Sequence, residues 1–129
     1  MPEHVVIRNH TPHVVVIVLP DGSTVAVPPR RPTPRLVVER TADGVARTDT
    51  ADIPLTRTRV NNVVVDLPAP TPGTLLIVAQ PIVAACPDRD DLVFPDEQVR
   101  DERQRVVGCR SLGRPQPNIT PGDVTKIRN

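Results

Sequence analysis

Short apolar runs, separated by prolines and glycines, form the main pattern of hydrophobic and polar positions along the chain. The runs are rich in valine, isoleucine and leucine, and β-branched side chains favour extended backbone. Apolar runs of about four to eight residues between turn-forming residues are typical of strands rather than helices. The pattern therefore predicts a series of strands over residues 5–8, 14–19, 24–27, 36–40, 45–50, 53–60, 63–67 and 74–79.

Turn-forming residues join several of these predicted strands. Residues 20–23 (PDGS) predict a hairpin between the second and third strands, and Asp43 and Gly44 predict a turn between the fourth and fifth. Residues 28–34 contain four prolines. Because proline cannot donate a hydrogen bond within a central strand, this segment is predicted to be an exposed connection or a sheet edge.

The second half of the chain is predicted to contain one short helix between two strands. The continuous apolar run over residues 74–79 predicts a strand that is buried on both faces. Pro81 suits the first turn of a helix that continues through residues 82–86, and residues 92–94 return as a strand.

A further hairpin is predicted from residues 98–101 and 105–109, with its turn at residues 101–104. One helix over residues 96–107 is the alternative, because Asp96 and Glu97 would lie favourably at its N-terminus. The hairpin is the preferred interpretation, since Val106 and Val107 lie directly before Gly108 in a strand-like pattern.

These elements predict a mainly β (α+β) fold, a compact curved sheet or partly open barrel with one short helix. A chain of 129 residues fits one domain whose core is built from small aliphatic side chains. We predict a single β-rich domain over residues 1–112. Residues 113–129, where Pro, Asn and Gly dominate, are predicted to form a flexible C-terminal tail.

Composition limits the classes of partner. The chain has 17 Pro but only one Phe and no Trp or Tyr, so it offers almost no platform on which bases can stack. Its net charge is +1, whereas proteins that bind duplex nucleic acid usually carry an excess of positive charge. Nucleic acid is therefore an unlikely partner. The apolar runs are also too short to span a bilayer, so we expect no membrane partner.

Few residue types suited to catalysis occur in a suitable pattern. Cys86 and Cys109 have no metal-ligand spacing and are too few for a disulfide framework, so we expect reduced thiols and a cytoplasmic location. A nucleophilic Cys109 needs a lowered thiol pKa, which Arg110 favours, and a base such as His13. His10 and His13 lack a third metal ligand at suitable spacing. No catalytic residue, metal or cofactor is assigned.

Arginine is the chemically distinctive residue of the chain, because every basic residue except Lys126 is an arginine. Planar guanidinium groups make bidentate hydrogen bonds to phosphates and carboxylates. Arg57 and Arg59 are two residues apart in a predicted strand and therefore share one face. If their strands are neighbours, we expect these two side chains to converge with Arg100 and Arg110 on a small anion.

Three stretches of the chain together resemble a family of small uncharacterised proteins from actinobacteria and their phages. They are residues 9–14 (NHTPHV), residues 67–68 with 72–78 (LP, PGTLLIV), and residues 87–95 (PDRDDLVFP) continuing to 99–101 and 107–112. Members of the family share an N-terminal Asn-x-Thr-Pro-His motif. His10 occupies a position that is apolar in the family, and Arg103 and Gln104 stand where the family has a glycine in the turn.

The resemblance implies no reaction, but it draws attention to polar residues in turns and at strand ends, which more often bind ligands than apolar core positions do. The predicted ligand-binding residues are Asn9, Thr11, His13, Arg57, Arg100, Asp101 and Arg110. The leading hypothesis is a non-catalytic cytoplasmic binding protein for a small anionic, nucleotide-like ligand or a host protein, acting in phage–host interaction. The alternatives are a small Cys/His-dependent enzyme and an oligomeric structural or virion-associated protein that pairs its sheet edges with a neighbour.

Overall fold

The protein is mainly β, as predicted. The computed structural model describes residues 4–115, of which 54% lie in strands and 5% in a single short helix. Of the tail predicted over residues 113–129, residues 116–129 lie outside the described residues, and Gly113 is the last residue of β8. In chain order the elements are β1 (Val6–Asn9), β2 (Val15–Val18), β3 (Thr24–Val27), β4 (Arg35–Arg47), β5 (Asp52–Val65), β6 (Thr74–Ile77), α1 (Gln80–Ala85), β7 (Leu92–Arg100) and β8 (Val106–Gly113).

Six strands form one curved sheet in the order β1-β6-β7-β8-β2-β3. Its two outer strands nearly meet, because Asn9 at the end of β1 forms a bridge with Pro29, just beyond β3. The N–H of Arg30 donates to the carbonyl oxygen of Asn9 at 2.8 Å. The sheet is therefore a nearly closed barrel, which confirms the predicted curved or partly open architecture.

Several predicted connections are confirmed. β2 and β3 form the predicted antiparallel hairpin, and β6 and β7 pair in parallel across α1. The helix begins at Gln80 with Pro81 in its first turn, where the missing proline N–H costs no helical hydrogen bond. β7 and β8 are antiparallel, so the predicted hairpin is correct and the alternative helix is wrong. The segments predicted separately at residues 92–94 and 98–101 belong to one strand.

The predicted turn at Asp43 and Gly44 is wrong. β4 continues through both residues, and Gly44, at φ +80°, lies in a bulge where the register with β5 shifts. Asp-Gly suits a bulge as well as a turn, because both use the left-handed conformation that glycine adopts freely. The chain reverses instead after Arg47, where the Thr48 hydroxyl accepts a hydrogen bond from the N–H of Ala51 at 3.0 Å.

The strands predicted at residues 53–60 and 63–67 are likewise one strand, β5, with a second register shift near Asn62. The φ angle of Asn62 is +58°, a left-handed conformation that asparagine tolerates better than most residues. β4 and β5 thus form an antiparallel two-stranded sheet of 13 and 14 residues, hereafter the ribbon.

The core has two parts, which lie on opposite faces of β6 and β7. Side chains alternate across a strand, so Leu76 and Leu92 contribute to one part and Ile77 and Val93 to the other. This arrangement explains why residues 74–79 are continuously apolar. The first part packs β6 and β7 against α1 and the base of the ribbon, through Leu36, Val64, Val78, Ile82, Val83 and Phe94. The second fills the barrel interior with Val15, Ile17 and Cys109.

One largely buried ion pair fixes the proline-rich segment before β6. Arg89 donates to Asp91 from Nε at 2.7 Å and from a terminal nitrogen at 2.8 Å, and it also donates to the carbonyl oxygen of Pro68 at 2.9 Å. The hydrogen bonds from Arg89 hold the pKa of Asp91 below its usual value. Residues 88–91 (DRDD) alternate in charge, and two of them, Arg89 and Asp91, form an ion pair that is part of the fold.

Candidate ligand-binding site

Asn9 organises the turn between β1 and β2. Its side chain is fully buried and makes four hydrogen bonds. Nδ2 donates to the carbonyl oxygens of His13 at 2.7 Å and Val27 at 2.9 Å. Oδ1 accepts from the N–H of Thr11 at 2.9 Å and from its hydroxyl at 2.6 Å. These contacts shape residues 9–13, hereafter the Asn9 turn, and tie the turn to β3.

The neighbouring histidine is also part of the fold. His10 is buried, and its Nδ1 lies 2.8 Å from the carbonyl oxygen of Pro32, to which it donates. His10 stands at the position that is apolar in the family that the chain resembles, and its polar ring has a backbone carbonyl as a partner. That partner lies in the proline-rich connection after β3, so His10 holds this connection against the Asn9 turn.

An apolar cleft opens on one side of the Asn9 turn. β2 and β8 meet in register at Ile17 and Cys109. The residues that precede Ile17 and the residues that precede Cys109 enclose a cleft of about 400 Å³, hereafter the valine cleft. Half-exposed Val14, Val106 and Val107 line the valine cleft. Its polar lining side chains are those of Thr11, His13 and Gln98.

Two basic clefts lie on the other side of the same turn. They have volumes of about 320 and 350 Å³ and are adjacent, because Pro29 and Arg30 line both; together they are hereafter the arginine groove. Arg31 lines the first and Arg8 the second, and within residues 4–115 no acidic residue lines either of them. Thr11 lines both the arginine groove and the valine cleft. The Asn9 turn therefore separates a basic surface from an apolar one.

The structure brings together three of the predicted site residues, namely Asn9, Thr11 and His13. Asn9 uses its amide within the fold, so it positions the turn, whereas Thr11 and His13 line the valine cleft. Sequence analysis missed Arg8, Arg30 and Arg31. Two of these lie in the segment predicted only as an exposed connection, and their place beside Asn9 depends on the bridge that closes the barrel.

The other predicted site residues have separate local partners. Arg57 is on the ribbon, where it pairs with Asp43 at 3.2 Å. Arg100, at the end of β7, donates to the carbonyl oxygen of Gln104 at 2.7 Å and to Gln98 Oε1 at 3.2 Å. Neither arginine lines the valine cleft or the arginine groove.

Asp101 and Arg110 also lie outside the two surfaces. The Asp101 carboxylate accepts hydrogen bonds from the backbone N–H groups of Arg103 and Arg105 and from Arg105 Nε. The bond from the Arg105 N–H contributes most to lowering the pKa of Asp101. Arg110 is exposed on β8, next to buried Cys109. The expected convergence of Arg57, Arg59, Arg100 and Arg110 is not found at either surface.

Cys109 has the environment of a structural thiol. It is 2% exposed, and its Sγ donates to the carbonyl oxygen of Val16 at 3.6 Å. Burial raises the pKa of the Cys109 thiol, so the reactive thiolate form is disfavoured at neutral pH. Within residues 4–115, no three histidine, cysteine or acidic side chains are grouped so that they can hold a metal ion.

We expect alkylation to distinguish the two cysteines. Cys86, at the end of α1, is half-buried, whereas Cys109 is buried in the barrel. Native protein treated with iodoacetamide at neutral pH should carry the label on Cys86 at least about tenfold faster than on Cys109, because the buried thiol must open to solvent before it reacts. Peptide mass spectrometry over a time course measures both rates. Preferential labelling of Cys109 would instead support the Cys/His-dependent enzyme.

No helix in the described part of the chain combines the length and apolar character needed to cross a membrane. In comparisons with known proteins, no family model matches the chain, and no curated protein or solved structure is significantly similar to it.

Proposed function

We propose that the protein is a non-catalytic binding protein for a small anion that also carries an apolar or heterocyclic part, such as a nucleotide. The observation that carries this proposal is the meeting of the arginine groove and the valine cleft at Thr11. A ligand that spans the turn places its anionic group against Arg30 and Arg31. Its organic part then enters the valine cleft.

Charge and chemistry support this orientation. The arginine groove offers guanidinium donors, and in the described part of the chain no carboxylate lines it to compete for them. Hydrogen bonds from guanidinium groups to anions are stronger than those between neutral partners. The valine cleft has no aromatic lining residue, so aliphatic walls hold the organic part of the ligand, and Thr11 and Gln98 supply hydrogen-bonding groups.

The rigidity of the Asn9 turn also favours binding. Four side-chain hydrogen bonds of Asn9 and the contact between His10 and Pro32 fix the backbone between the two surfaces. A site that is already ordered loses less conformational entropy when a ligand binds.

The alternative of a Cys/His-dependent enzyme has less support, because Cys109 is buried and burial raises the pKa of its thiol.

We propose that this binding takes place in the cytoplasm. We also propose that it serves phage–host interaction, in which a small protein can act by sequestering a host molecule. The free thiols of Cys86 and Cys109 support a reducing compartment. The support for the phage–host setting is the resemblance to the family described above of residues 9–14, 67–68, 72–78, 87–95, 99–101 and 107–112.

Calorimetric titration with AMP, ATP and inorganic phosphate tests the proposal. We expect a nucleotide to bind more tightly than phosphate alone and to raise the melting temperature by mass action. Arg30→Ala should weaken nucleotide binding about tenfold or more, since a hydrogen bond to a charged group contributes about 1.5–3 kcal/mol. Arg103→Ala is the matched control, because Arg103 is an exposed arginine on the β7–β8 turn.

A second variant separates the two halves of the site. Val107→Asp places a carboxylate in the valine cleft, so it should weaken binding of AMP while leaving that of inorganic phosphate unchanged. The proposal is wrong if none of the three probes binds. It is also wrong if Arg30→Ala and Arg103→Ala weaken binding equally, because that result indicates general charge attraction.

A further inference from the structure

The outer part of the ribbon is an exposed sheet with no covering element in the described chain. The base of the ribbon contacts the first part of the core, beside α1, through the cross-strand pair Leu36 and Val64. An isolated two-stranded ribbon is at best marginally stable in water. The ribbon nevertheless exposes large aliphatic side chains along its length, including Val38, Val45 and Val60.

The strand register separates two unlike faces. One carries four successive cross-strand pairs, hereafter the valine–threonine face: Val38 with Val60, Arg40 with Thr58, Ala42 with Thr56, and Val45 with Pro54. The charged pair Arg47 and Asp52 follows on the same face at the tip of the ribbon. By alternation, this face continues outward from the side on which Leu36 and Val64 pack against the core. The side that covers the core thus extends beyond the barrel without a covering layer.

The opposite face carries the exposed aliphatic side chains Ile53 and Leu55 together with several charged ones, and those charges are matched within the ribbon. Glu39 and Arg59 are cross-strand neighbours, and Glu39 Oε1 accepts a hydrogen bond from Asn61 at 2.9 Å. Arg57 pairs with Asp43 at 3.2 Å. This face therefore suits solvent, whereas the valine–threonine face, which has Arg40 as its one charged side chain among the four pairs, suits a partner.

We propose that the valine–threonine face binds the same face of a second copy of this chain, with the two ribbons antiparallel about a two-fold axis. The axis passes midway between the Arg40–Thr58 and Ala42–Thr56 pairs. Val38 and Val60 then lie opposite Val45 and Pro54 of the second copy, so apolar pairs meet apolar pairs at both ends. In the centre, each Arg40 lies opposite a small Ala42, and each Thr58 lies opposite a Thr56. Because the ribbon has only two strands, the Arg40 guanidinium extends past the edge of β4 into solvent and is not buried in the contact.

This self-matching pattern is the reason to choose a second copy as the occupant. A two-fold contact uses the same patch on both chains. With the ribbons antiparallel, the first pair of one copy meets the last pair of the other, so these two pairs must suit each other. The four pairs meet this condition. A net charge of +1 for the whole chain also places little electrostatic repulsion between two copies.

The ribbon edges are less suitable for association than its face. The register shifts at Gly44 and near Asn62 interrupt β4 and β5, and Pro54 removes one backbone donor from β5. Bulges and prolines of this kind disfavour the addition of a further strand. Face-to-face packing of the four pairs buries about 800 Å² in total, which lies below standard interfaces and indicates a weak, concentration-dependent dimer.

Sedimentation velocity on the full chain over a range of concentrations tests the proposal. We expect the monomer mass at about 1 µM and an increasing share of dimer by about 200 µM, as for a weak interface. Val60→Glu should lower the association constant at least about tenfold, because two carboxylates become buried in the contact. Leu55→Glu is the matched control, since Leu55 is similarly exposed on the same strand but lies on the charged face.

Cysteine cross-linking tests the register without a buried charge. An equal mixture of the Thr56→Cys and Thr58→Cys variants should form disulfide-linked dimers faster than either variant alone, because each residue lies opposite the other across the axis. The proposal is overturned if the wild-type chain is monomeric at every concentration, which would leave the face for a different partner. It is also overturned if Leu55→Glu weakens association as much as Val60→Glu, or if the mixture cross-links no faster than the single variants.

Discussion

Replacing Asn9 with alanine should lower the free energy of unfolding by about 4 kcal/mol, because each buried polar group that loses its partner costs about 1–3 kcal/mol. Asn9→Ala leaves the carbonyl oxygen of Val27 and the N–H of Thr11 without their side-chain partner. The carbonyl oxygen of His13 loses the Asn9 amide and keeps only the Thr11 hydroxyl, at 3.1 Å. These groups lie where β1 approaches the chain after β3. The loss therefore loosens the closure of the barrel as well as the turn.

Urea denaturation of wild-type and variant proteins measures this effect. Thr11→Val is the matched control, because it removes the hydroxyl that donates to Asn9 Oδ1 and leaves the backbone contacts in place. One such hydrogen bond contributes about 1 kcal/mol. If Asn9→Ala destabilises the protein no more than Thr11→Val does, the four contacts of Asn9 do not hold the turn.

Asn9→Asp tests whether the turn needs the hydrogen bonds that Asn9 Nδ2 donates. The carboxylate keeps an acceptor for Thr11 but replaces the donating Nδ2 with an oxygen that faces the carbonyl oxygens of His13 and Val27. Protonation of that carboxyl group restores a donor, so the folded state of the variant should bind the proton more tightly than the unfolded state. The stability deficit relative to wild type should therefore shrink as the pH falls from 7 to about 4.

The contrast between Asn9 and the arginine groove shows what a sequence can indicate about this site. Asparagine and threonine beside a proline form turns through short-range hydrogen bonds, so residues 9–13 were recognisable from local chemistry. The function of Asn9 was less evident, because its partner Val27 is remote in sequence. Arg30 and Arg31 adjoin the turn only because the barrel closes at Asn9 and Pro29, which is a tertiary contact.

The fold shows the same division between local and long-range information. β6, α1 and the β7–β8 hairpin were predictable, because a continuous apolar run, Pro81 and the residues before Gly108 carry local preferences. The ribbon was predicted as separate short strands. Gly44 and Asn62 interrupt the pattern of side chains, but cross-strand pairing continues on both sides of each interruption, and pairing is not readable from one strand alone.

The contact between Phe94 and Gly113 should dominate the packing at one end of the barrel. The two residues are cross-strand partners, and Phe94, the chain's one aromatic residue, is 8% exposed. A Cβ atom on Gly113 would lie 2.8 Å from two carbons of the Phe94 ring, which is closer than van der Waals contact allows. Phe94 therefore packs on bare backbone, and the space for its ring depends on the glycine.

A double-mutant cycle tests this contact. Phe94→Ala should lower the free energy of unfolding by about 3–4 kcal/mol through lost burial and a cavity. Gly113→Ala should cost about 2 kcal/mol in the wild type, because the ring must move. In the Phe94→Ala background the added methyl group meets no ring, and only Asp96 Oδ2 remains close, at 3.0 Å. Because Asp96 is exposed and its carboxylate can move aside, Gly113→Ala should then cost no more than about 0.5 kcal/mol. The resulting coupling of about 1.5 kcal/mol is well above the error for independent sites.

Gly108→Ala provides the control for this cycle. A Cβ atom on Gly108 would lie 3.0 Å from the carbonyl oxygen of Val16, not against the Phe94 ring. Its cost should therefore be the same with and without Phe94, since mutations with no shared partner are additive within about 0.5 kcal/mol. Equal costs of Gly113→Ala in the two backgrounds would contradict the packing described here, because the ring would then not be what the added side chain displaces.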